Sequence, residues 1–147
     1  DVLGSRGLGD VYKRQIENRI ADQISNTLEK EYGEDWMRLG VERNVFTTLN
    51  NRATDRQYNT GGELDPWREV TLEECRKIVT WSRNWRNLFK PFFESLVGDG
   101  KSHNKKDLTE WMTELNRVQK QLKTIKDYSV SYDDYILVCD YYDKLDL

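Results

Sequence analysis

Few side chains in this chain stand at spacings that suggest a reaction. His103 is the sole histidine among 147 residues, so general acid–base work near neutral pH would fall to it. It lies in the polar stretch Lys101 to Lys106, where a solvent-exposed loop histidine is a better reading than one member of a Ser/His/Asp group. Asp133, Asp134, Asp140, Asp143 and Asp146 crowd the last part of the chain and raise the question of a hard cation. They lack an Asp-x-Asp-x-Asp-Gly loop and are interleaved with Tyr and Leu, as on the solvated face of an amphipathic helix. Glu73 and Glu74 are neighbours, so on a helix they point about 100° apart and make a poor acid/base pair. Capping and solvation account for them. Cys75 and Cys139 form neither a CxxC nor a dense framework, and read as two small buried thiols in a reducing cytoplasm. The expectation is no metal site and no cofactor.

Binding residues are easier to nominate. Trp81, Arg83, Trp85 and Arg86 mix aromatic and basic side chains, as single-strand binders do. On one continuous helix Trp81 and Trp85 would share a face, which a core explains, and Arg83 would point elsewhere. Lys77, Arg83, Arg86 and Lys90 could form one positive strip, and Arg117, Lys120, Lys123 and Lys126 a second. The candidate interaction surface is therefore Arg83, Arg86, Arg117, Lys120 and Lys123. Ordinary solvated helix sides are the plainer alternative.

The elements that must position these residues are helices. Ile16, Ile20, Ile24 and Leu28 repeat every four residues, giving one apolar stripe that ends at Tyr32-Gly33. A short turn over Asp35 to Leu39 inserts Trp36, and Gly40 closes it. Val41, Val45, Leu49 and Ala53 form a second stripe, with Phe46 beside it, and Asn59-Thr60-Gly61-Gly62 with Asp65-Pro66 breaks the chain. Thr71 and Glu74 make a capping box, behind which Leu72, Cys75, Ile78, Val79 and Ser82 share a face. Trp81, Trp85, Leu88 and Phe89 continue that pattern to Pro91, which kinks the helix or begins another that buries Phe92, Phe93 and Leu96. After Gly98-Asp99-Gly100, the longest stripe runs from Leu108 through Trp111, Met112, Leu115, Val118 and Leu122 to Ile125. Ser131 with Asp134 would start a last helix carrying Tyr135, Val138, Tyr142 and Leu145. No segment alternates with period two. The expected fold is an all-α bundle of five to six helices.

Composition agrees with one domain. The chain is 33% charged and 37% hydrophobic, and its seventeen aromatic residues provide burial that disordered chains lack. No apolar run approaches the roughly 20 residues that a membrane span needs. A net charge of −3 argues against a general nucleic-acid binder, although local basic patches remain available. The opening residues 1–14 look non-native. GSRGLGDVYKRQ resembles a translated sequencing-adaptor end, and Gly4, Gly7 and Gly9 lack the GxxxxGK[ST] pattern of a phosphate loop. The expected division is residues 1–14 as an adaptor-like segment and 15–147 as the helical domain, with further native sequence expected upstream.

The order of the segments resembles a known family. EKEYGEDWM (Glu29 to Met37), NNRATDR (Asn50 to Arg56), CRKIVTWSRNWRNLF (Cys75 to Phe89), EWMTELNRVQKQLKT (Glu110 to Thr124) and SYDDY (Ser131 to Tyr135) follow one another. This layout is similar to the HEPN superfamily, in particular Swt-like HEPN domains of bacterial defence and RNA-processing proteins. There a YG-x-x-W, an NW-x-x-LF and an LN-x-x-R-N-x-x-x-H segment recur in that order. The resemblance covers about Ile16 to Leu145 and implies a helical bundle, often dimeric. Active members are metal-independent ribonucleases with an R-x4–6-H motif. Its histidine exchanges a proton with the RNA, and its arginine steadies charge on phosphorus.

That motif is absent here. Aligning Leu115-Asn116 with the family LN puts Gln119 at the arginine position and Thr124 at the histidine position. Gln119 carries no charge and Thr124 cannot titrate near neutrality. His103 would need an arginine at 96, 97 or 98, where Leu96, Val97 and Gly98 stand. The resemblance therefore implies a non-catalytic interaction domain that pairs with a second copy, a protein partner or a neighbouring domain, with RNA a weaker prospect and no membrane. The alternatives are a divergent metal-independent ribonuclease and a stand-alone antitoxin-like protein.

Overall fold

The computed structural model describes residues 6–101, 103–124, 140–141 and 143–145, with side chains described for 14–101, 103–117, 140–141 and 143–145. Among these residues the fold is all-α, with no strand. Helix α1 (Arg6–Tyr32) leads through a 3-10 turn at Gly33–Asp35 into α2 (Trp36–Gly40), then α3 (Arg43–Thr60). A second 3-10 turn at Pro66–Glu69 precedes α4 (Leu72–Thr80), and α5 (Ser82–Asn84) passes through a π-helical turn at Trp85–Phe89 into α6 (Lys90–Val97). The long α7 (Lys105–Thr124) follows. No helix among the described residues is long and apolar enough to cross a membrane.

The stripes are where their spacing puts them. Ile16, Ile20, Ile24 and Leu28 are each at most 1% exposed, so one edge of α1 is core along four turns. Val41, Val45, Leu49 and Ala53 are buried, and Phe46 packs partly buried against the same core. Leu108, Trp111, Met112 and Leu115 bury one face of α7. The side chains of Val118 and Leu122, and Ile125 entirely, lie outside the described residues. So do Ser131, Asp134, Tyr135, Val138 and Tyr142 of the expected last helix, although Leu145 is buried and Tyr141 stacks on Trp111 at 4.0 Å and 12°.

Glycines set two boundaries for different reasons. Gly33 follows α1 with φ +75°, a conformation that a Cβ would strain. Gly40 is required by proximity: a Cβ there would lie 2.9 Å from both Leu28 Cδ2 and Tyr32 Cε2. The short α2 can lie against the end of α1 only because that side chain is missing.

The structure departs from the periodic reading at several places. Helix α1 begins at Arg6 rather than near Ile16, so it takes in residues 6–14 of the opening stretch. Pro66 opens a 3-10 turn instead of plain loop, and α7 begins at Lys105, inside the expected linker. The largest departure is at Trp81. Its ψ of 131° ends α4, so the helix from Leu72 to Phe89 is not continuous and Trp81 and Trp85 do not share one helical face. Ser82 is exposed for the same reason. The π-helical turn then lies just ahead of Pro91, whose missing N–H leaves no donor for an α-helical bond to the Asn87 carbonyl. In α6 Phe93 is 1% exposed, whereas Phe92 and Leu96 are only partly buried because α6 presents a single face to α7.

Candidate interaction surfaces

Several polar groups drawn inside the bundle are tied up in holding it, whereas the Trp67 indole N–H is buried with no hydrogen-bond partner among the described residues. Glu74, 3% exposed, does more than the expected capping. Its Oε1 accepts the Thr71 N–H at 3.1 Å and the Thr71 hydroxyl at 2.9 Å, and it also receives Arg52 Nη1 from α3. Arg52 Nη2 lies 3.5 Å from Glu74 Oε2, and Nη1 also donates to the Glu69 carbonyl at 3.3 Å. One turn on, Arg56 Nε lies 2.9 Å from both oxygens of Glu69. Arg52 and Arg56 thus clamp the segment leading into α4. The expectation of a solvated Glu74 is corrected: a capping residue whose carboxylate faces α3 is buried by that helix. Glu73, by contrast, is half exposed and pairs with Lys77 at 3.9 Å.

Two further polar anchors work the same way. Arg76 on α4 donates to the hydroxyls of Thr109 at 3.1 Å and Thr113 at 2.6 Å, fastening α4 to α7. Asn84 is fully buried, and its amide donates to the carbonyls of Gly40 at 2.7 Å and Ile78 at 2.9 Å while its oxygen accepts the Tyr32 hydroxyl at 3.2 Å. These bonds satisfy carbonyls at the ends of α2 and α4 that have no helical donor. They also explain the break at Trp81, because Asn84 must turn inward to reach both.

The nominated residues separate into three groups. Arg83 is engaged within the fold: its Nη1 donates to the Leu39 carbonyl at 2.9 Å, and its guanidinium sits 5.0 Å from the Trp81 ring centroid. Arg86 and Arg117 are exposed on different elements, the π-helical turn and α7. Gln119, Lys120, Lys123 and Thr124 belong to α7, but their side chains lie outside the described residues, and Lys126 lies outside altogether.

His103 does stand in the loop before α7, partly exposed, with Nε2 2.9 Å from Asp99 Oδ2. The Lys101 N–H bond to Asp99, followed by the His103 contact, holds that carboxyl below its ordinary pKa. Of the acidic cluster, Asp140 and Asp143 are described and exposed, Asp140 pairing with Lys144 at 3.1 Å, while Asp133, Asp134 and Asp146 lie outside. No group of three or more His, Cys, Asp or Glu among the described residues is placed to hold a metal ion. Cys75 is fully buried, and burial, with the Glu17 and Glu74 carboxylates adding to it, pushes its thiol well up, so it stays protonated and unreactive. Cys139 lies outside the described residues.

Open grooves remain among the described residues. One, about 510 Å³, has Met37, Val41 and Phe46 as its apolar wall, with Glu34, Arg38 and Arg43 at its rim. Another, about 410 Å³, is lined by Ser82, Trp85, Arg86, Asn87 and Lys105 and contains no acidic residue. Lys105 Nζ donates to the Thr80 carbonyl at 3.1 Å, which fixes its charge on the groove wall. Sequence reading found Arg86 but missed Lys105, which lies far along the chain, and missed the Arg52 and Arg56 clamp. The i, i+4 spacing of those two arginines was the available signal. Comparison with protein-family models, curated proteins and solved structures finds no match to this chain.

Proposed function

We propose that the chain is a non-catalytic HEPN-like interaction domain that docks a protein partner, a second copy of itself included, in the service of bacterial defence or RNA processing. The observation that carries this reading is the division of labour among its polar groups. Arg52, Glu74, Arg76 and Asn84 are spent on joining helices, and among the described residues cationic and apolar side chains left outside line open grooves. The segment order that resembles HEPN domains, with Gln119 and Thr124 at the positions of the ribonuclease pair, supports the non-catalytic part.

The test uses the folded protein with two readouts. Incubated without divalent metal, it leaves structured and unstructured RNA intact, and sedimentation or co-purification reveals self-association or a stable protein partner. Metal-independent cleavage lost in Gln119→Ala or Thr124→Ala and kept in His103→Ala would establish the ribonuclease alternative instead. Finding neither self-association nor any partner would overturn the docking role.

A further inference from the structure

We infer that the groove between the π-helical turn and the start of α7 is a docking site for an acidic peptide segment of a partner protein. This rests on the reading of the chain as an interaction domain and names the chemistry of what it holds. The lining is Ser82, Trp85, Arg86, Asn87 and Lys105, two cations and no anion, on a chain whose net charge is −3. Arg86 is exposed and forms no ion pair among the described residues, and Lys105 spends one ammonium hydrogen on the Thr80 carbonyl while keeping its charge uncompensated. Four other basic groups are engaged within the fold: Arg52 and Arg56 with carboxylates, Arg76 with hydroxyls, Arg83 with a carbonyl. Arg86 presents a planar fork suited to one carboxylate, and Lys105 a point charge suited to another. Ser82 and Asn87 add donors and acceptors of the kind that an extended peptide backbone needs.

The backbone strengthens the case. Three of the five lining residues belong to the π-helical turn Trp85–Phe89, so one short element presents them together to the groove. A nucleic acid fits less well. Its affinity is built largely from many phosphate contacts neutralised by lysine and arginine. Two cations on an acidic chain match two neighbouring carboxylates of a peptide better than the continuous phosphate row of a nucleic acid.

The experiment measures fluorescence anisotropy at low salt with three labelled probes: hexaglutamate, hexaglutamine and a uridine decamer. The intact chain binds hexaglutamate in preference to the other two. Arg86→Glu weakens that binding by about tenfold or more, the size of one charge-assisted contact, and Arg86→Lys weakens it less. Lys30→Glu, the same charge change on exposed α1 surface, leaves it unaltered. Thermal melts show whether each variant stays folded, and because Arg86 is exposed the substitution spares the core. No preference for hexaglutamate, an equal loss in Lys30→Glu, or tighter binding of the uridine decamer that Arg86→Glu abolishes would overturn the inference. Self-association or a partner held elsewhere would then leave the interaction reading standing, whereas metal-free RNA cleavage would overturn that reading without bearing on the groove.

Discussion

Removing Arg52 should cost more than removing the charge of Glu74, although Glu74 is the more buried of the two. Glu74 is 3% exposed, whereas the Arg52 side chain keeps 41% of its surface. In Arg52→Ala the carboxylate stays inside with only the Thr71 N–H and hydroxyl as donors, since the helix that buries it remains. Breaking a fully buried pair costs about 3–5 kcal/mol. The two surviving bonds and water entering the vacated arginine volume lower this to about 2–3 kcal/mol. In Glu74→Gln the guanidinium can turn to water, and the amide oxygen still accepts from Thr71, so the cost is about 1 kcal/mol. The double variant should then cost less than the sum of the two singles by roughly 1–2 kcal/mol, because no charge is left stranded. Urea unfolding followed by tryptophan fluorescence measures all four corners of this cycle. Equal costs for the two single variants, or strict additivity, would refute the argument that desolvation of the carboxylate governs this site.

Three further outcomes follow from the packing. Asn84→Ala strands the Gly40 and Ile78 carbonyls and the Tyr32 hydroxyl, and should lose about 2–4 kcal/mol in the same unfolding assay; a loss below about 0.5 kcal/mol would mean that water replaces the amide. Gly40→Ala pushes a methyl to 2.9 Å from Leu28 and Tyr32 and should cost about 1–3 kcal/mol, and amide exchange should show the α1–α2 junction opening first. Tyr141 has its phenol pushed up to about 12, by burial first and then by Asp140 and Glu114. A folded-state value above the unfolded one gives stability that is complete below the ordinary tyrosine range and is lost as pH rises through about 12. Tyr141→Phe should therefore flatten the alkaline fall in melting temperature and remove a late-titrating phenol from the absorbance titration of the parent; an unchanged alkaline slope would count against the assignment.

Much of the helical frame can be read from spacing, because a buried edge demands an apolar residue every three or four positions whatever it packs against. Ile16, Ile20, Ile24 and Leu28 illustrate this, as do Leu108, Trp111, Met112 and Leu115. The capping box of Thr71 and Glu74 is equally local: three residues separate its members, and their side chains meet as soon as the first turn forms. Where partners are distant in sequence, the same patterns mislead. Glu73 and Glu74 look alike in the sequence, yet only Glu74 is covered by α3 and met by Arg52. The Trp81 to Phe89 stretch has a helical pattern, yet Asn84 is drawn inward by carbonyls of α2 and α4, and that pull breaks the helix.

The amino-acid sequence by itself determined the all-α character, most of the core and the lack of an Arg-x4–6-His pair, since each depends on residue types and on periods shorter than two helical turns. Only the tertiary structure decided which cations remain available. Arg83 and Arg86 stand three residues apart and seem equivalent in the sequence, but the Leu39 carbonyl takes one while the other faces an open groove beside Lys105. The physical reason is that a charge is used or left free according to the groups that long-range packing brings within about 3 Å of it, and no local pattern records that distance.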